Sequence, residues 1–218
     1  MRTTSSRREN SARKGILPGK EMATFFAWMR PNDLVWNYWI NNYLLGNKPP
    51  KFDVLYWNAD TTNLPAAFHG QLLDMIKTNP LVNSGTLQVL GEPVNLSSIK
   101  CDFYSLAGTT DHITPWDACY RSTRLLGGKV RFVLSNSGHV QSILNPPSNK
   151  KALYFTQDEA TENPQDWKAG ATEHAGSWWL DWREWLGSRS GNQVNAPATL
   201  GNKAYPPGLD APGSYVFE

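Results

Sequence analysis

Two loops in this sequence carry side chains that could work together on a proton. The first is Gly108-Thr109-Thr110-Asp111-His112-Ile113-Thr114-Pro115-Trp116, and the second is Ser135-Asn136-Ser137-Gly138-His139. Each follows a short apolar run that reads as a strand, Cys101–Ala107 before the first and Val130–Leu134 before the second. Open parallel sheets hold their sites at the carboxyl ends of the strands. Neighbouring strands lie about 4.8 Å apart, so Asp111 and His139 can meet at hydrogen-bonding range. An acid that holds a His in one tautomer is two-thirds of a nucleophilic triad. A plainer reading stands beside that one. Asp111 can be the capping acceptor for a helix that begins near Pro115, and His139 can be satisfied by a carbonyl.

A nucleophile is harder to find. An elbow needs a small-x-Ser/Cys-x-small turn after a strand and upstream of the acid, and neither Gly-x-Ser-x-Gly nor Gly-x-Cys-x-Gly occurs. Cys101 opens a strand, Cys119 falls within the helix after Asp111, and Ser84 has no strand ahead of it. The order acid then His is nonetheless that of α/β-hydrolases, in which the nucleophile comes first. His69 lies on a helical stretch and His174 precedes a Trp cluster, and neither has ligating company, so no metal site is expected. Asp60, Asp102 and Asp117 read as solvated or structural.

The elements around the two loops form a βαβ unit. Pro115 to Leu126 reads as a helix with Pro in its first turn and Gly127-Gly128 past its end. Val130–Leu134 is a continuous apolar run, the mark of a strand buried on both faces. Strand, helix and strand in this order predict a parallel pair with a right-handed crossover. Ahead of them, Thr86–Leu90 and Pro93–Leu96 suggest a hairpin. Leu64 to Lys77 reads as a helix whose stripe is Leu64, Phe68, Leu72, Met75 and Ile76. Phe52–Trp57 reads as a short strand. From Glu21 to Leu45 aromatics crowd together, interrupted by Pro31, with Asn32 or Asp33 available to cap a second helix. Its apolar residues cover more than one face, so it is expected to be buried or covered. Asn163–Ala171 and Ser177–Leu186 are helical, the second with Trp178, Trp179, Trp182 and Trp185 expected in a core.

Composition narrows the class. The 218 residues carry 21 Lys+Arg against 19 Asp+Glu, a net charge of +2, so no concentrated basic field argues for nucleic acid or an anionic membrane. Apolar residues at 40% suffice for a core. Two cysteines are too few for a disulfide framework and suit a reducing, cytosolic compartment. No stretch approaches the ~20 apolar residues of a membrane span. Ten Trp, eight Tyr and eight Phe mean either a heavy core or a greasy binding surface.

Five segments, taken in order, carry a resemblance. They are Leu-Val-Trp-Asn-Tyr-Trp (34–39), Leu-Tyr-Trp-Asn-Ala-Asp (55–60), Gly-Thr-Thr-Asp-His-Ile-Thr-Pro-Trp (108–116), Ser-Gly-His (137–139) and Gly-Ser-Trp-Trp (176–179). From about Lys20 to the tail, the sequence resembles the C-terminal half of a polyhydroxyalkanoate synthase. It is most similar to the class II, medium-chain-length enzymes. The resemblance implies an α/β-hydrolase core with a cap, and a Cys-His-Asp triad that polymerises (R)-3-hydroxyacyl groups from coenzyme A thioesters. It places the acid on Asp111 and the base on His139, and it leaves open whether Asp111 serves His139 or the attacking hydroxyl. By resemblance alone, His112 and Trp57 are pocket residues. The family's cysteine has no match here and falls ahead of residue 1.

The expected layout is a polar basic segment over 1–20, the C-terminal part of an α/β-hydrolase catalytic domain over 21–188, and an irregular Gly/Pro-rich tail over 189–218. The expected fold class is α/β, a parallel sheet with flanking helices that lacks the nucleophile strand. The chain would be an acyltransferase sequence that is inactive alone, with no cofactor beyond the CoA of its substrate. Expected partners are (R)-3-hydroxyacyl-CoA, the growing polyester, the granule surface in the cytoplasm and, for the full-length family, a second copy. Two alternatives stay open: a non-catalytic remnant that binds a full-length synthase or granule, and a lipase or thioesterase on the same fold.

Overall fold

A computed structural model describes residues 2–29, 31–49, 60–211 and 213–214. The chain divides into two compact units, 1–79 with 197–218, and 80–196. These boundaries differ from the expected divisions after residues 20 and 188.

In the first unit, helix α1 (Arg2–Lys14) forms within the polar basic segment expected over 1–20. It lies against helix α3 (Ala66–Thr78). The buried Ser11 hydroxyl donates to the Arg8 carbonyl at 3.0 Å and accepts from Nδ1 of the buried His69 at 2.8 Å. Arg8 pairs with Asp74 at the rim of the same contact. Strands β1 (Ile16–Leu17) and β2 (Leu64–Pro65) pair antiparallel and fix how the chain enters both helices. The face α3 turns inward is thus His69 and Gly70, whereas Ile76 of the expected apolar stripe is 80% exposed. Helix α2 (Gly19–Met29) is followed, after Pro31, by two π-helical turns, Asn32–Trp36 and Trp39–Leu44, and no side chain caps the first. Among the described residues the expected covering of this aromatic region is not found. Phe25, Phe26, Trp28, Trp36, Trp39 and Tyr43 are all exposed, although Trp39 and Tyr43 stack with centroids 4.3 Å apart. The strand expected over Phe52–Trp57 lies outside the described residues.

The second unit begins with the expected hairpin, shorter than its sequence run. Strands β3 (Gln88–Val89) and β4 (Glu92–Pro93) join through Leu90 and Gly91, both at positive φ. Strand β5 (Phe103–Gly108), helix α4 (Trp116–Thr123) and strand β6 (Val130–Ser135) then form the βαβ unit, with β5 and β6 parallel along their whole lengths. Gly128 makes the return to β6 possible, since a Cβ there would lie 1.9 Å from the Cys101 carbonyl oxygen.

Two strands went unread in the sequence. Strand β7 (Leu153–Thr156) pairs antiparallel to β6, and β8 (Thr172–Ala175) pairs antiparallel to β7. The sheet, ordered β5-β6-β7-β8, is therefore mixed where a parallel one was expected, while the α/β class holds. Among the described residues β5 is an edge strand.

Alternation along β6 splits the packing between the two faces. Phe132 and Leu134 join Ala107, Tyr120 of α4 and Trp167 of helix α5 (Pro164–Gly170) in the core. Phe132 meets Trp167 edge-on at 4.9 Å and Tyr120 at 5.1 Å, geometries that aromatic quadrupoles favour. On the other face, Arg131 and its register partner Tyr104 both bond Asp181 of helix α6 (Trp179–Gly187). Burial raises the Asp181 carboxyl, but the Arg131 and Tyr104 bonds and the Arg131 charge outweigh it and hold the group below its usual range. Beyond α6, the described part of 189–218 has neither helix nor strand, as expected.

Candidate functional site

The carboxyl ends of β5 and β6 lie side by side because the strands are parallel and in register. Thr109 N–H donates to the Ser135 carbonyl at 2.9 Å and Thr110 N–H to that of Ser137 at 3.2 Å, so the two loops leave the sheet still stitched together. Asp111 then turns back, its N–H reaching the Gly108 carbonyl at 3.2 Å. Ser137 holds a φ of +84°, an uncommon value for a residue with a side chain, and this bend aims His139 at the first loop.

Nδ1 of His139 lies 2.8 Å from Oδ2 of Asp111. The same oxygen accepts the Thr114 hydroxyl at 2.8 Å, and Oδ1 accepts the backbone N–H groups of Ile113 and Thr114, each at 2.9 Å. Four donors therefore fill the roughly four acceptor positions of one carboxylate. Burial alone would raise this carboxyl. The bonds from Thr114 and Ile113 and the His139 ring outweigh burial and hold it well below the usual carboxylate range. An ionised carboxylate can only accept, so the proton of the pair sits on Nδ1 of His139 and Nε2 carries the free lone pair. Exposure divides in the same sense: the Asp111 side chain is 5% accessible and that of His139 41%.

The capping role weighed for Asp111 is thus real but displaced. Its carboxylate closes the turn ahead of α4, while the helix itself starts from Pro115 with no side-chain cap. His112 follows the acid but is exposed, and no described bond joins it to the pair. Trp57 lies outside the described residues. Cys119 Sγ donates to the Thr114 carbonyl at 3.6 Å, and burial, followed by the nearby Asp111 charge, pushes its thiol up. Cys101 is exposed. Among the described residues, no nucleophilic side chain bonds Nε2 of His139, and no group of three His, Cys, Asp or Glu could hold a metal. A cavity of about 270 Å³ lined by Tyr120, Arg124, Phe132, Gln157 and Trp167 lies at the other end of β6, away from the pair.

Residues 5–146 match the alpha/beta hydrolase fold family. The chain belongs to that family. Among curated proteins, this hydrolase-fold chain is 59% identical over 216 residues to poly(3-hydroxyalkanoate) polymerase 1 of Ectopseudomonas oleovorans, covering 99% of this chain and 39% of that one. Polymerase 2 of the same organism is 54% identical over 215 residues, with 99% and 38% covered. A poly(3-hydroxyalkanoate) polymerase subunit of Cupriavidus necator is 48% identical over 202 residues, with 92% and 34% covered. The resemblance read from the five segments is thereby shown. The chain spans about two fifths of the length of the first two relatives.

Several residues around the pair escaped the sequence reading. Thr114 was legible in principle, because an Asp three residues before a Thr-Pro that opens a helix marks a side-chain-closed turn. Trp178 and Trp179 read as core aromatics and as part of the Gly-Ser-Trp-Trp segment, with no bond to the pair's loop implied. Their indole N–H groups in fact donate to the carbonyls of Ser142 at 2.8 Å and Ile143 at 3.0 Å, in the segment that follows His139. Main-chain acceptors leave no mark in a sequence.

Proposed function

We propose that this chain supplies the acid and the histidine of a Cys-His-Asp triad in a poly(3-hydroxyalkanoate) polymerase. The activity would be acyl transfer from (R)-3-hydroxyacyl-CoA onto a growing polyester. The observation that carries this reading is the unequal engagement of the pair, with every Asp111 acceptor position occupied and Nε2 of His139 open. A saturated, strongly acidic carboxylate cannot take a proton from a substrate hydroxyl, so Asp111 is the orienting acid and His139 the base.

His139 takes the proton of a cysteine thiol, and the thiolate attacks the thioester carbonyl. The bond from that carbonyl to the CoA sulfur breaks, and the imidazolium gives its proton to that sulfur, so CoA leaves as the free thiol and His139 returns to its neutral form. His139 then deprotonates the 3-hydroxyl of the partner acyl group, which attacks the enzyme-bound thioester. An ester bond forms and the cysteine recovers its proton. Neither cysteine of this chain suits the nucleophile. Cys119 is a raised-pKa thiol bonded to a carbonyl, and Cys101 precedes β5 at the end remote from the pair. The nucleophile comes from outside these 218 residues, and the chain alone is inactive. No cofactor enters beyond the CoA of the substrate.

The exposed aromatics of α2 and the π-helical turns supply an apolar face suited to a polyester granule in the cytoplasm or to a second copy in a full-length homodimer. Among the described residues, no helix is long and apolar enough to cross a membrane.

The test measures free CoA from (R)-3-hydroxydecanoyl-CoA. The chain is assayed alone and together with the remaining N-terminal part of the oleovorans polymerase 1 it resembles. Release is expected only from the combination, and His139→Ala abolishes it. Turnover by the chain alone that is lost in Cys119→Ala or Cys101→Ala would overturn the assignment.

A further inference from the structure

The turn that carries His139 is strained at one end and clamped at the other. Ser137, two residues earlier, sits at φ +84°, a conformation that persists only when its surroundings over-determine it. On one side the Thr110 N–H holds the Ser137 carbonyl. On the other side residues 138–144 form a helical turn, with Ser142 N–H donating to the Gly138 carbonyl at 2.9 Å and Leu144 N–H to that of Val140 at 2.9 Å. The far end of this turn is gripped by the two residues that lead into α6. Trp178, 9% exposed, donates its indole N–H to the Ser142 carbonyl, and the Ser177 hydroxyl donates to the carbonyl of the buried Asn145.

The sheet explains why α6 can reach this turn. β8 runs antiparallel to β7 and β7 antiparallel to β6, so β8 ends at the same rim as β5 and β6. Gly176-Ser177-Trp178 therefore emerges beside the loop from β6. The helix behind it is pinned to the opposite face of the sheet from the core by Asp181 with Arg131 and Tyr104, and the Tyr104 ring lies 6.0 Å from that of Trp178. The indole is thus a rigid donor on an anchored element.

We propose that Trp178 is a positioning residue for His139, its indole N–H holding the Ser142 carbonyl and with it the turn that keeps Nδ1 on Asp111. This rests on the reading of Asp111 and His139 as the acid–base pair. The experiment follows the His139 Nδ1–H by proton NMR in the 218-residue chain, labelled with nitrogen-15 histidine. Bonded to a carboxylate, this proton gives a downfield, slowly exchanging signal. Trp178→Phe keeps an aromatic ring and removes the donor, and it is expected to speed exchange of that proton about tenfold while thermal melting stays cooperative. Trp182→Phe, which alters an aromatic neighbour of Trp178, is expected to leave the signal unchanged.

A signal absent from the unaltered chain overturns the acid–base reading and the proposal with it. A signal present there and unchanged in folded Trp178→Phe overturns the proposal alone. Should Trp178→Phe fail to melt cooperatively, the unaltered chain in sub-denaturing urea carries the test. Loss of the Trp178 Nε1–H and His139 Nδ1–H signals together supports the clamp, and a His139 signal that outlasts the indole signal overturns it.

Discussion

Ser142 sits directly over the α-carbon of Gly108. A Cβ built on that glycine would lie 2.8 Å from the Ser142 hydroxyl oxygen and 2.8 Å from the Ser137 carbonyl oxygen, closer than real contacts allow. The last residue of β5 is therefore bare so that the His139 loop can lie across the end of the strand. Gly108→Ala should destabilise the second unit by about 2 kcal/mol, the scale of overpacking at a site whose neighbours are held on both sides. Urea unfolding followed by tryptophan fluorescence checks this. An unchanged midpoint would mean that the loop floats free of the strand.

Acid should weaken the second unit through two carboxylates. Asp111 and Asp181 both have folded-state values below their ordinary ones, so each contributes stability that is present above the unfolded value near 4 and lost as pH falls through the folded value. The urea midpoint should hold from pH 7 to about 5 and decline below about 4. Asp111→Asn should lower the midpoint at pH 7 and flatten the decline. A midpoint as steep in acid for Asp111→Asn as for the unaltered chain would show that other groups dominate.

Ser11→Ala should loosen α1 from α3. The change leaves Nδ1 of buried His69 without its hydroxyl partner, a loss of about 1–3 kcal/mol for an unsatisfied buried group. Amide hydrogen exchange should then rise across residues 2–14 and 66–78 and stay unchanged in β5 and β6. Equal protection in both forms would assign the packing of α1 to its other contacts.

The two thiols should separate in alkylation. Cys101 is exposed, whereas Cys119 is half-buried with its thiol pushed up. Iodoacetamide at pH 7 should therefore modify Cys101 first, because the thiolate is the reacting form. Peptide mass spectrometry resolves the order. Faster labelling of Cys119 would reopen its candidacy as nucleophile.

What the sequence disclosed follows from where its signals are local. The β5–α4–β6 unit was legible because Val130–Leu134 is apolar throughout and Pro115 and Gly127-Gly128 bracket the helix. Asp111 and His139 followed from the strand ends. β7 was missed because its four residues stand between a Lys pair and Asp158 with no alternation long enough to register. β8, Thr172-Glu173-His174-Ala175, is at the sheet edge among the described residues and holds a single apolar side chain, so no alternation marks it. α1 has almost no apolar residue, and its packing turns on one serine that finds a histidine 58 positions away. The aromatic segment misled in the opposite direction. Its composition is that of a core, but composition does not say where the covering surface comes from.

The contact division gives the chain an unusual connectivity. Residues 80–196 form one unit, and the segments before and after them belong together in the other. The second unit is thus an insertion, joined to its host at two covalent crossings, 79/80 and 196/197. A loop closed in this way behaves as a tethered cassette. One proteolytic nick at either crossing splits the chain into two polypeptides that each carry part of the first unit, and only a cut at both excises the cassette with β5–β8, Asp111, His139 and the Trp178 clamp all inside it.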